Sequence, residues 1–287
     1  MRLLTLLALA AAACVSADPI PESFRQNGWF VGSQAYTFKQ FSFFEAIAKT
    51  KEAGGNVIEL FPGQAVKSGS TEKTHHSMSD ATFAEMKAEL DRQGVRAVNY
   101  GVVAAKDKEE VYAIMKFAKK LGLYGVTTES IDALDTAEKL AKEYDIRVGI
   151  HEHAKRMKKD AEGKQVEDPN YKIWNPEFVR DLVKGRDARI GACADIGHWQ
   201  TSGLKAVDCL KILEGRIISL HAKERAALGP GQHDTIFGTG ITDMAGVFAE
   251  LKRQNFTGNI SLEYEFNWDN SVPDIKQCID FVRAWKH

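Results

Sequence analysis

The sequence predicts an α/β protein built as a (β/α)8 barrel, a single domain over residues 18–287. Three observations carry that expectation. After residue 27, short β-branched or aromatic runs alternate with helical stretches eight times. The runs are mostly continuous in apolar character, as parallel strands covered on both faces are. Eight such units in about 250–270 residues is also the size of this barrel. A doubly wound open sheet is the competing architecture, and it would usually carry a glycine-rich phosphate turn after its first strand. Here "SQAYTFKQFS" stands at that place.

Taken in order, the chain begins with "MRLLTLLALAAAACVSADPIPES", one early arginine followed by an apolar run and a small-residue site at Val15-Ser16-Ala17. Residues 1–17 read as a secretory signal, too short for a stable membrane span, so an exported protein, periplasmic or extracellular, is expected. Lipid attachment at Cys14 is the alternative, although "AAAC" lacks the usual larger aliphatic residue. The strand candidates are residues 29–36, 56–61, 95–103, 125–129, 147–153, 189–197, 216–223 and 259–265. Between them, "SDATFAEMKAELDRQG" places Phe83, Met86 and Leu90 on one helical face, with Ser79 to cap its start and Gly94 its end. "KEEVYAIMKFAKKLG" repeats the pattern through Val111, Ile114, Met115, Ala118 and Leu121, and "VPDIKQCIDFVRAW" turns Ile275, Ile279 and Val282 inward. Two connections exceed the usual few residues: "AKRMKKDAEGKQVEDPNYKIWNPEF" after strand five and "ERAALGPGQHDTIFGTGITDM" after strand seven. The first reads as a solvated insertion in its middle and as a lid at its aromatic end, Tyr171 and Trp174.

Composition is that of an ordinary globular protein, 44% hydrophobic and 27% charged over 287 residues. A formal net charge of -1 gives no whole-chain signal for a nucleic-acid or membrane-surface partner. Cys193, Cys209 and Cys278 sit in apolar segments without CxxC spacing, which points to buried thiols rather than a disulfide framework or a zinc ribbon.

The chemistry gathers at the strand ends. "ACADIGHW" puts Asp195 at the end of an apolar run and His198 three residues on. Strand two contributes Glu59, strand four Glu129, strand five His151 and His153, strand seven His221 and Lys223, and strand eight Glu263 and then Glu265. Parallel strands bring these ends to one rim, where barrels of this kind keep their sites. Carboxylates and imidazoles crowded there would repel one another or stay unsatisfied without a cation among them. Asp195, His221 and Glu263 with one further ligand, Glu129 or His151, form a mixed N/O set suited to Mn²⁺, Co²⁺, Ni²⁺, Zn²⁺ or Mg²⁺. Such a metal polarises a carbonyl and stabilises an enediolate while a neighbouring group moves the proton. Glu129, His151 and Glu263 are the candidate bases. His198, Lys223, Glu59 and His153 are candidate substrate contacts, and for Glu59 or His153 alone a satisfied rim residue is the bland alternative. Glu265 reads as a surface or supporting group.

At "ACADIGHW", "RIISLHAKE", "HDTIFGTG" with the helix "DMAGVFAELKRQNF", and "GNISLEYE", the chain resembles the sugar phosphate isomerase/epimerase group of xylose isomerase-like TIM barrels, which also resembles endonuclease IV in fold. The likeness spans nearly all of residues 18–287. It implies metal ligation by Asp195, His221 and Glu263, a substrate- or metal-proximal His198, and a substrate contact at Asp234 ahead of the "FGTG" turn. Many such epimerases place a glutamate on strand five as fourth ligand and one of two bases; this chain has His151, which counts against a simple two-glutamate mechanism. The resemblance implies an isomerase or epimerase acting on a small sugar. "IHEH", the lysine-rich loop and the export signal suggest a 3-keto-glycoside lyase as an alternative. Two further alternatives are an endonuclease IV-like phosphodiesterase and a sugar-binding barrel without turnover. The phosphodiesterase needs more histidines on strands two and three. Strand three ends "NYGVV", and His75 and His76 in "STEKTHHSMSD" read as solvated loop residues.

Overall fold

The computed structural model describes residues 20–286, so the signal reading of residues 1–17 and the alternative at Cys14 lie outside the described residues. Eight parallel strands form the barrel: β1 (Trp29–Gln34), β2 (Val57–Leu60), β3 (Arg96–Val103), β4 (Gly125–Thr128), β5 (Arg147–His151), β6 (Ile190–Asp195), β7 (Ile217–Ala222) and β8 (Asn259–Leu262). Each pairs with its sequence neighbours, and β1 pairs with β8 as well as β2, which closes the sheet. Closure excludes the open doubly wound alternative. Outside stand α1 (Phe43–Glu52), α2 (Asp80–Gln93), α3 (Lys108–Leu121), α4 (Leu134–Tyr144), α5 (Pro176–Val183), α6 (Ile196–Thr201), α7 (Ala206–Ile212), α8 (Met244–Arg253) and α9 (Val272–Ala284).

Local sequence explains the helix bounds. Ser79 accepts from the Thr82 backbone N–H at the start of α2, and Gly94 ends it with φ +65°, a conformation costly for residues bearing a Cβ. Phe83, Met86 and Leu90 of that helix are buried, as their spacing predicts. The same holds for α3, capped by Asp107, and for α9, which opens with a proline in its first turn.

The barrel interior is layered. At the floor, Phe30, Val57, Val98, Tyr124 and Ile218 pack with Ile20 into a small apolar cluster. Above it lies a buried polar layer containing Glu59, Asn99, Thr127, Asn259 and Ser261. The main apolar core runs between sheet and helices. Cys193, Cys209 and Cys278 are free and buried.

The strands end earlier than the apolar runs suggest. Residues 196–197, expected in strand six, already belong to α6, because the Asp195 carboxylate accepts from the His198 backbone N–H (2.8 Å) and starts a helix there. The two long connections carry structure of their own. After β5, Met157–Lys159 pairs antiparallel with Gln165–Glu167 in a solvated hairpin. After β7, Glu224–Arg225 pairs with Asp234–Thr235, and the Glu224 carboxylate accepts from the backbone N–H groups of Gly238 and Gly240. Among the described residues, no helix is long and apolar enough to cross a membrane.

Candidate active site

Strand register builds the site. His221 lies level with Asp195 on β6 and with Ser261 on β8. Glu263, two residues beyond Ser261, therefore projects over the same side of the barrel. His151 lies level with Cys193, one pleat below Asp195. One ligand atom each from His151, Asp195, His221 and Glu263 falls within 4.8 Å of all the others, and all four residues are buried. Glu129 stands outside this set, with a carboxylate oxygen 3.1 Å from His151 Nδ1.

The four inward atoms lack hydrogen bonds, and two of them share the single ammonium of Lys223. His151 Nε2, Asp195 Oδ2, His221 Nδ1 and Glu263 Oε2 are buried without a hydrogen-bond partner, although they approach one another. His151 Nε2 is 3.5 Å from Asp195 Oδ2, and His221 Nδ1 is 3.8 Å from Asp195 Oδ2 and 3.1 Å from Glu263 Oε2. Buried polar groups are normally paired, and orphaned ones converging on a point are what an ion site looks like. A two-nitrogen, two-oxygen donor set of this kind fits a divalent cation. Lys223 supplies part of the counter-charge. Its Nζ is 3.1 Å from Asp195 Oδ2 and 2.9 Å from Glu263 Oε2, and it also pairs with Glu265. Gly197 makes that approach possible, since a Cβ there would sit 2.6 Å from Lys223 Cβ.

Protonation follows from these neighbours. Burial acts to raise the Asp195 and Glu263 carboxyls, but the charges around them dominate: His198 and Lys223 for Asp195, Lys223 and His221 for Glu263. Both are held well below the usual carboxylate range. Burial also acts against Lys223, and Asp195, Glu263 and Glu265 outweigh it, so the ammonium stays charged. Burial pushes Glu129 up, while His151, His153 and Arg156 bring it below its ordinary value. Burial lowers His153 and, far more strongly, His198.

Glu59 takes a different place from the one sequence reasoning gave it. It is fully buried beneath the cluster rather than at the mouth. Its Oε1 lies 3.2 Å from His221 Nε2 and accepts from Thr127 Oγ1 (2.9 Å), and its Oε2 accepts from Ser261 Oγ (2.6 Å). The two hydroxyls are set in turn by Asn99 and Asn259. A carboxylate behind one imidazole nitrogen aims the other, so Glu59 directs His221 Nδ1 toward the cluster. Asp234, expected as a substrate contact, is also buried, and its carboxylate accepts from Arg225 and from the Glu265 backbone N–H.

The pocket above the cluster, about 190 Å³, is lined by Gln34, Tyr36, Phe61, Val102, Glu129, His151, His153, His198, Glu263 and Glu265. Sequence reasoning missed Gln34, Tyr36, Phe61 and Val102, which lie at the ends of β1, β2 and β3 without a charged signal. Tyr171, at the aromatic end of the loop after β5, reaches Glu129 with its hydroxyl 3.3 Å from Oε2, and the Arg156 guanidinium lies 3.7 Å over its ring. His75 and His76, expected to be solvated, are partly buried and face Glu110; the His76 side chain is 8% exposed.

Residues 47–285 match the family model described as xylose isomerase-like TIM barrel. Among solved structures, a putative uncharacterized protein from Parabacteroides distasonis is 30% identical, with 89% of this chain and 98% of that one covered and a TM-score of 0.69. A D-allulose 3-epimerase from Methylomonas sp., in complex with D-allulose, shares the fold at 16% identity, 90% and 97% coverage and TM-score 0.64. A sugar phosphate isomerase/epimerase from Parabacteroides distasonis does so at 15% identity, 89% and 96% coverage and TM-score 0.65. No curated protein matches the sequence. With the barrel closed, the polar ends gathered at one mouth and the family model spanning most of the sequence, this chain belongs to the xylose isomerase-like TIM barrel family.

Proposed function

We propose that this protein is a divalent-metal-dependent carbohydrate enzyme that removes the proton α to a sugar carbonyl, of the isomerase or epimerase type. One observation carries the reading: four buried ligand atoms without hydrogen-bond partners converge at the floor of a pocket whose wall holds a further ionised carboxylate. His151, Asp195, His221 and Glu263 would hold the cation. When bound, it supplies Lewis-acid polarisation of the carbonyl and stabilises the charge of an enediolate.

The chain's own groups account for the proton. Glu129 faces the pocket, is ionised, and is steadied by His151 Nδ1 and the Tyr171 hydroxyl, so it can accept the α-proton. His198 also lines the pocket, its Nε2 3.5 Å from the Nζ of the buried Lys223. His198 can donate to a substrate oxygen as charge builds on it. Carboxylates, imidazoles and aromatic edges line the pocket, which suits the neutral hydroxyls of an unphosphorylated sugar. That agrees with export, which remains part of this proposal.

The same groups also support a second reading, a 3-keto-glycoside lyase. Glu129 would take the proton at C2 and return it to the departing glycosidic oxygen, to which His198 would donate a hydrogen bond. His151 stands on strand five, where many such epimerases carry the second catalytic glutamate. Metal-loaded protein incubated in D2O with free ketoses, aldoses and 3-keto-glucosides tests both readings by mass spectrometry. Deuterium at the carbon next to the carbonyl is expected, and release of free sugar from the keto-glucoside marks the lyase. Absence of exchange into every substrate, with the metal bound, would defeat the enzyme reading and leave a sugar-binding barrel.

A further inference from the structure

A second group of ligating side chains lies on the barrel rim outside the pocket, between the β2–α2 connection and the first turn of α3. One ligand atom each from His75, His76 and Glu110 falls within 4.8 Å of the others. The two rings lie face to face with centroids 3.9 Å apart and a 33° tilt. His76 Nε2 faces Glu110 Oε1 at 3.5 Å, too long for a good hydrogen bond and close enough for a shared cation.

The remaining atoms of the three side chains are already held. His75 Nδ1 is 2.7 Å from Ser77 Oγ, which leaves its Nε2 for a ligand. His76 Nδ1 is 3.3 Å from the Tyr100 hydroxyl, itself packed on Phe117 in the core. Glu110 Oε2 accepts from the Lys106 backbone N–H (2.9 Å), so Oε1 is the oxygen turned to the histidines. Partners of this kind behind each ligand are what orients a metal site. The backbone is fixed as well. Thr74, just before His75, exchanges backbone hydrogen bonds with Gly63 and Gln64, and the Met78 N–H closes a turn on the His75 carbonyl (3.0 Å).

We infer that His75, His76 and Glu110 form a second metal site, selective for a Zn²⁺-class transition-metal ion, that ties the β2–α2 connection to the start of α3. Two imidazole nitrogens and one carboxylate oxygen make a borderline donor set, which Zn²⁺ prefers over the harder Mg²⁺ or Ca²⁺. Three protein ligands leave a coordination position for water. The site also bears on the pocket, because Thr74 Oγ1 donates to the carbonyl of Phe61, whose ring lines the pocket wall. Holding His75 in place therefore holds that wall.

The test counts metal. Full-chain protein is equilibrated with excess Zn²⁺, passed through a desalting column and analysed for bound zinc, alongside His75→Ala and Glu110→Gln. Each variant is expected to carry one equivalent less than the parent, whatever the barrel mouth retains, and to lose part of the Zn²⁺-dependent rise in melting temperature. Glu110→Gln keeps the shape of the side chain, and melting in the presence of a chelator checks that both variants fold as the parent does. Equal zinc content in parent and variants would overturn the site. A parent that holds no zinc beyond what Asp195→Asn removes would overturn it as well.

Discussion

At the floor of the barrel, Arg216 donates to the carbonyl oxygens of Arg186, Asp187 and Ile190, Arg186 pairs with Asp135 and Glu138, and Arg189 pairs with Asp145 and Asp187. At the mouth, Lys223 is shared among Asp195, Glu263 and Glu265 while four ligand atoms of the cluster find no hydrogen bond. Both ends are dense in charge. At the floor each cation meets its acceptors within the protein, so the charges fix the loops that connect helices to strands. At the mouth the low-dielectric interior makes every unmatched group costly, an imbalance that the proposed cation would complete. Removing a charge should therefore cost rate at one end and stability at the other.

The largest effect is expected from Glu129→Gln. It keeps the shape of the side chain and its contact with Tyr171 but removes the proton acceptor. Deuterium exchange into the sugar should slow by ~10²–10⁴-fold, the usual contribution of a general base, with the melting temperature nearly unchanged. An undiminished exchange rate would move the base elsewhere in the pocket. Glu59→Gln comes next. With one acceptor oxygen replaced by an amide nitrogen, the Thr127 and Ser261 hydroxyls and His221 Nε2 compete for what remains. His221 loses its fixed aim, and metal affinity measured by calorimetry should fall by about 10–100-fold. An unchanged affinity would show that His221 is held by packing alone.

At the floor, Arg216→Met leaves three carbonyl oxygens without their guanidinium donor while keeping much of the apolar stem. Urea unfolding should show a loss of about 1–3 kcal/mol, and turnover per folded molecule should match the parent. A drop in turnover of the folded protein would mean that the two ends are coupled and the contrast drawn between them is wrong.

The sequence carried the fold because its signals are local. Ser79 and Gly94 bound α2 by groups within a few residues, and the apolar runs of β1 to β8 mark the strands directly. The rim residues were legible for a related reason: parallel strands deliver their ends to one place. Depth was not legible. Glu59 reads like any strand-end carboxylate, and only closure of the barrel brings it, fully buried, against His221 Nε2. Pairings set by tertiary packing were hidden too. Glu265 reads as a surface group until Lys223 is brought beside it, and His75 and His76 look solvated until α3 presents Glu110.

The smallest effect concerns the floor in acid, and it asks whether charge or hydrogen bonding holds that end. A hydrogen bond from Lys142, the backbone N–H of Asp187 and the Arg186 guanidinium hold the Glu138 carboxyl below its ordinary value of 4.5. The Arg189 backbone N–H and guanidinium do the same for Asp187, ordinarily 3.8. A carboxyl depressed in the folded state contributes stability that is present above its unfolded value and is lost as pH falls through the folded one. Glu138→Gln gives up that share, so the variant should melt below the parent at pH 7. The gap should close between pH 4.5 and the depressed folded value, where the parent's own carboxyl takes up its proton. Thermal melts of both proteins from pH 7 to pH 3 measure the gap directly. A difference that stays constant across that range would mean that the geometry of the hydrogen bonds, rather than the charge of Glu138, fastens the floor, and the contrast with the mouth would then be one of satisfied bonds and not of balanced charge.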